Sequence, residues 1–148
     1  MLRCNFIMEK LVKIYADGGS RGNPGPAASG AVLYDENNNA LAQIGTYLND
    51  NTNNYAEYYG LITGLEKSIE LGFKNVEVFM DSLLVVKQMT GEYKVKHPNL
   101  KPLFLKAISL TRQLDSFKIF HVRREFNKEA DAVVNKVLDE ESLNNLKV

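Results

Sequence analysis

Two different spacings of apolar residues divide the chain. From Leu11 to Ala16 the alternation is that of a strand: Val12, Ile14 and Ala16 share one face, and Leu11, Lys13 and Tyr15 share the other. Branched side chains favour the extended form, and Asp17-Gly18-Gly19 predicts its end. Gly30–Tyr34 and Ala40–Leu48 predict two more strands, joined by a hairpin turn over Asp35–Asn39. The asparagine-rich stretch 49–54 reads as a further turn. Three strands in succession on short connections predict an antiparallel meander. The spacing then lengthens. Tyr58, Leu61, Ile62, Leu65 and Ile69 recur on one helical face, and Gly72 is a natural stop. A short strand over Val76–Met80 leads into a helix over Ser82–Met89, ended by Gly91. A helix over Leu100–Leu114 tolerates Pro102 in its first turn. Phe117–Val122 predicts a fifth strand and Lys128–Leu138 a last helix. The order β-β-β-α-β-α-α-β-α predicts an α/β fold, a mixed sheet covered by helices. No repeat or linker interrupts it, so the 148 residues are expected as one domain. Residues 1–8 are expected as an N-terminal extension, with Met8 as an alternative start, and 139–148 as a frayed tail.

Composition changes this picture little. With 45% hydrophobic and 24% charged residues, disorder is excluded. Lysine and arginine total 18, as do aspartate and glutamate, so the net charge is zero. A strongly basic chain would attract nucleic acid through its global field; here any such binding must rest on local patches and weaken with salt. Cys4 is the single cysteine, so no internal disulfide forms, which suits a reducing compartment. No run is long enough to span a membrane, and the apolar opening is too short for a signal peptide. The expectation is a cytoplasmic monomer with no membrane partner.

The candidate chemistry lies in four acids, each ordinary by itself. Asp17 reads as part of an Asp-Gly turn. Glu57 stands three residues after Asn54, as in a capping box. Asp81 precedes a helix and reads as its cap. Asp131 falls in a first helical turn, where the dipole favours a carboxylate. Jointly they are less ordinary, since two end strands and two begin helices. In an open α/β sheet such ends meet at the edge where ligands bind. Four carboxylates there repel one another unless cations neutralise them. Magnesium suits such a site, and two ions can hold a phosphodiester between them.

Asp17-Gly18-Gly19-Ser20-Arg21-Gly22-Asn23-Pro24-Gly25-Pro26-Ala27-Ala28-Ser29-Gly30 resembles the opening motif of the ribonuclease H type 1 family. Thr52-Asn53-Asn54-Tyr55-Ala56-Glu57 resembles its second motif, Asp81-Ser82 its third, and Asn127-Lys128-Glu129-Ala130-Asp131 its fourth. The resemblance runs from about Leu11 to Leu138, with all four motifs in order. It implies a ribonuclease H-like fold with a five-stranded mixed sheet flanked by helices. It implies an endonuclease cutting the RNA strand of RNA–DNA hybrids, leaving a 3′-hydroxyl and a 5′-phosphate. By the same resemblance, Asp17, Glu57, Asp81 and Asp131 are catalytic metal ligands for two Mg2+ or Mn2+ ions in the substrate complex. Gly18, Asn23, Thr52, Asn53, Asn54 and Ser82 are implied to touch nucleic acid, the asparagines in the minor groove and Thr52 at a DNA phosphate. The RNA strand would be told from DNA by its 2′-hydroxyl.

Three departures from the family pattern matter. Many members carry a mobile histidine shortly before the last acid; here His121 falls inside a predicted strand, and Arg124 is the better candidate for a catalytic role. Arginine stays protonated, so it would stabilise charge rather than shuttle protons. Only Gly91–Asn99 lies between the two middle helices, where many bacterial members insert a basic helix and loop; Lys94, Lys96, Lys101 and Lys106 are what remains to replace it. His97 beside Pro98 reads as structural. Leu83 follows Asp81-Ser82 where some relatives have a polar residue. The short form resembles archaeal and some bacterial members, and by the resemblance to some of those the expected substrates extend to double-stranded RNA. Two rival readings remain: a non-catalytic nucleic-acid-binding module on the same fold, and a scaffold whose acids only cap helices.

Overall fold

A computed structural model of the chain describes residues 10–146; the expected extension 1–8, with Cys4 and Met8, lies outside them. The elements are β1 (Leu11–Ser20), β2 (Gly25–Asp35), β3 (Ala40–Asn51), α1 (Asn53–Glu70), β4 (Asn75–Met80), α2 (Leu83–Met89), α3 (Lys101–Thr111), β5 (Ser116–His121) and α4 (Lys128–Leu146). A single 3-10 turn, Arg124–Phe126, separates β5 from α4. The predicted order of elements therefore stands. The strands form one five-stranded mixed sheet in the order β3-β2-β1-β4-β5. The first three make the antiparallel meander, and β4 and β5 run parallel to β1.

Alternation within β1 and β4 builds the core. Val12, Ile14, Ala16, Val76, Val78 and Met80 are fully buried on one face, against Tyr58, Leu61 and Leu65 of α1. The helices α2 and α3 complete that layer through Val85, Met89, Ala107 and Leu110. Each fully buried aliphatic side chain contributes about 1.5–3 kcal/mol. The β1–β4–α1 sandwich is thus the most strongly anchored part of the molecule. On the opposite face α4 covers the meander, with Val134 and Leu138 on Ala28. Among the described residues no helix is long and apolar enough to cross a membrane.

Two expectations are corrected. First, β1 does not end in an Asp-Gly turn: Asp17, Gly18 and Gly19 stay in the ladder, opposite Gly30, Ser29 and Ala28 of β2. The long pairing with β2 outweighs the turn propensity of the local sequence. Second, the predicted tail is helical from 139 to 146. The apolar stripe stops at Leu138, but neither Gly nor Pro follows it to break the helix. Asp139 in this extension forms an ion pair with Arg21 of the β1–β2 connection.

Candidate active site

Three of the anchored elements deliver a carboxylate to one place. β1 and β4 are parallel neighbours in register, with Ala16 opposite Met80. Their next residues, Asp17 and Asp81, therefore emerge side by side at the carboxyl edge of the sheet. Glu57 arrives from above, on α1. That helix crosses β1 so closely that a Cβ on Gly18 would stand 2.1 Å from the Ala56 carbonyl carbon, and one on Gly60 2.5 Å from the Asp17 carbonyl oxygen. Only glycine fits at either position. One oxygen from each of Asp17, Glu57 and Asp81 lies within 4.8 Å of the others. Asp131, in the first turn of α4, lines the same cleft, of about 800 Å³, without joining that tight group.

The capping explanations do not hold for Glu57 and Asp81. Thr52 caps α1, its hydroxyl accepting from the Tyr55 N–H at 3.2 Å, and Glu57 lies a full turn further in. Ser82, not Asp81, caps α2 through the Val85 N–H. Both acids are left facing the cleft, where the electrostatics are unfavourable to ionised carboxylates. Burial, then the charge of Asp81, then Asp131 and Glu57 push Asp17 up to about 8, against a hydrogen bond from the Gly18 backbone. Burial chiefly, with Asp81, raises Glu57 to about 7, opposed by a hydrogen bond from Ser82 and the charge of Arg124. A cluster of oxygens that holds protons this strongly fits a hard divalent cation, which would relieve the same repulsion.

Asn53 and Asn54 line the cleft with Gly18. The Asn53 Oδ1 accepts from the Ser20 N–H at 2.8 Å and from its hydroxyl at 3.0 Å, and the Asn23 Oδ1 accepts from the Asn53 N–H at 3.1 Å. A backbone N–H can only donate, so both oxygens are committed and both amide nitrogens remain available as donors. Thr52 is half-buried and holds the helix start. Ser82, expected at the nucleic acid, is instead 7% exposed, its hydroxyl committed to Glu57 and the α2 cap. Its exposed neighbour Leu83 offers no polar contact.

Arg124 lines the cleft, and so does His121 at the last position of β5. A place inside a strand argues against a role for His121, but as the final residue of β5, at the carboxyl edge of the sheet, it reaches the cleft. His97 accepts from the Asn99 N–H at 3.1 Å, which makes it a turn residue. Lys94, Lys96, Lys101 and Lys106 are exposed, and Lys106 approaches Glu66 at 3.9 Å. Asn127, in the sequence only a member of the fourth motif, is 1% exposed and reaches both Ala16 and Asp81.

A family model described as Reverse transcriptase-like matches residues 15–137. The chain is 43% identical over 129 residues to Ribonuclease HI of Halobacterium salinarum, covering 87% of this chain and 65% of that protein. It resembles the N-terminal RNase H domain of Rv2228c from Mycobacterium tuberculosis at TM-score 0.89 and 43% identity, over 93% of this chain and 99% of that one. It resembles LC11-RNase H1 in complex with an RNA/DNA hybrid at TM-score 0.83 and 44% identity, over 88% and 98% of the two chains. The mycobacterial relatives are longer proteins, of which the chain spans 35%.

Proposed function

Since the chain belongs to the ribonuclease H family, we propose that it is an endonuclease hydrolysing the RNA strand of RNA–DNA hybrids in the cleft bounded by Asp17, Glu57, Asp81 and Asp131. The observation that carries this reading is the convergence of Asp17, Glu57 and Asp81 oxygens within 4.8 Å on three separately anchored elements. A scaffold would have no use for such repulsion. Two Mg2+ or Mn2+ ions held by the four carboxylates would supply an activated water and neutralise charge on the leaving oxygen. The protein's own groups do the rest. Asn23, Asn53 and Asn54 present amide N–H donors to the acceptors of a minor groove and to 2′-hydroxyls, which DNA lacks. The Thr52 hydroxyl and the Gly18 backbone are assigned to the nucleic acid beside them. Arg124, exposed at the cleft rim, stabilises negative charge at the phosphate without exchanging protons. The complex of the similar LC11-RNase H1 with an RNA/DNA hybrid supports the hybrid as substrate. The protein acts as a monomer in the cytoplasm in this reading.

An end-labelled RNA–DNA hybrid, a double-stranded RNA and a DNA duplex, each with Mg2+, Mn2+ or chelator, test the proposal. Cleavage of the hybrid's RNA strand alone, abolished by chelator and by Asp81→Asn, is expected. Cleavage of double-stranded RNA would extend the substrate range. Binding of the hybrid without cleavage in either ion would overturn the enzyme in favour of the non-catalytic module.

A further inference from the structure

Asn127 sits where three carboxylate-bearing segments meet. Its side-chain Nδ2 is 2.9 Å from the Ala16 carbonyl, at the last β1–β4 pair, and 3.5 Å from the Asp81 Oδ1. Its backbone carbonyl accepts the Asp131 N–H at 3.1 Å, in the first turn of α4. The orientation of the amide is fixed, because a carbonyl only accepts and nitrogen must face Ala16. The Asn127 Oδ1 is consequently turned into the interior, where it has no hydrogen-bond partner. For stability alone this is a poor exchange, a bond gained by one end of the amide and an unsatisfied acceptor left at the other. What the amide adds is its second N–H, directed at Asp81. A neutral donor there orients the carboxylate without competing with a cation, as a lysine or arginine would.

We infer that Asn127 is a positioning residue whose side chain holds the Asp81 carboxylate in register with Asp17. The inference rests on the carboxylate–metal reading above. Its effect passes through Asp81, so it has a signature that simple packing lacks. Mn2+ binding is measured by calorimetry, titrated far enough to register weak sites, for wild type, Asn127→Leu, Asp81→Asn and the double variant, with thermal melts in chelator to confirm folding. Asn127→Leu is expected to weaken Mn2+ binding about 10- to 100-fold, the scale of losing a group that orients a metal ligand. In the Asp81→Asn background the same change is expected to cause no further loss. Equal losses in both backgrounds, or wild-type affinity in Asn127→Leu, would overturn the inference. Should Asn127→Leu fail to fold, Asn127→Ser is put through the same cycle with the same deciding outcomes. If Asp81→Asn abolishes Mn2+ binding but the Asn127 variants do not weaken it, only this inference fails. If wild type shows no Asp81-dependent binding at all, the metal reading fails with it.

Discussion

Gly60 of α1 stands against the Asp17 carbonyl with no space for a side chain: a Cβ would come within 2.5 Å of that oxygen. Backbone on both sides of the contact leaves nothing that can rotate away. Glu57 lies three residues earlier on the same helix, so the closeness of this crossing sets how near its carboxylate comes to Asp17.

Gly60→Ala is therefore expected to push α1 off β1, costing about 1–3 kcal/mol of stability and weakening divalent-cation binding. Denaturant unfolding and a Mn2+ titration check the two parts. Lower stability with unchanged affinity would mean that the crossing serves packing alone.

Without metal, stability should fall as pH rises from about 4 to about 8. Asp17, at about 8, and Glu57, at about 7, both lie above their unfolded values, so in that interval the folded chain retains protons that the unfolded chain has lost. The stabilisation is complete below the unfolded pKa values and is lost as pH climbs through the folded ones. Asp35, held low by its bonds from Asn39 and Asn37, acts in the opposite direction, but only as pH falls below the ordinary aspartate range. Melting temperatures in chelator across this range test the slope. Asp17→Asn should flatten it, and a melting temperature that rises with pH in wild type would contradict the assignment.

Asn53→Asp keeps the oxygen that accepts from Ser20 but loses the amide donors and adds a negative charge to the wall of the cleft. At the first position of α1 that charge is tolerated by the helix dipole. Stability should hold while KM for the hybrid rises by about tenfold or more. An unchanged KM would remove Asn53 from the substrate surface.

Ser82→Ala removes both the α2 cap and the hydrogen bond that favours ionised Glu57. A loss of about 1 kcal/mol is expected from the cap. The acidic limb of the pH–rate profile should also move to higher pH, because Glu57 then needs a more alkaline medium to ionise. Ser82→Thr should restore both, and a profile that stays in place would disconnect Ser82 from Glu57.

Arg124→Ala should separate binding from turnover. Removing a positive charge from the neighbourhood of Glu57 is expected to tighten divalent binding while lowering kcat by about tenfold, or about 1.4 kcal/mol at the transition state. Parallel losses of both would instead mark Arg124 as a residue that supports the local fold.

The elements were legible in the sequence because their signals are local: alternation in β1 and β4, helical spacing in α1, glycines 72 and 91 just past helix ends. The course of β1 through Asp17-Gly18-Gly19 was not, because pairing with β2 keeps it extended against the turn propensity of those residues. Asn54 looked like the cap of α1, but Thr52 has the hydroxyl and the extended backbone that the position requires. The four acids were found by motif and order, whereas their different closeness, three in a tight group and Asp131 at its side, depends on the packing of α4. Asn127 escaped notice because an amide announces no charge, and only its burial and orientation distinguish it.

Asn53 and Glu57 belong to one rigid helix, four residues apart. At about 1.5 Å per residue they are about 6 Å apart along its axis and on nearly the same face. For a hybrid held at Asn53, α1 acts as a gauge: the offset between the groove that is gripped and the phosphate that is attacked is machined into a single turn of helix, and does not depend on how a loop happens to bend. Adding one residue inside that turn would rotate grip against cutting edge by a further angle of about 100°, leaving a protein that still folds around its sheet, still holds its substrate, and misses the bond.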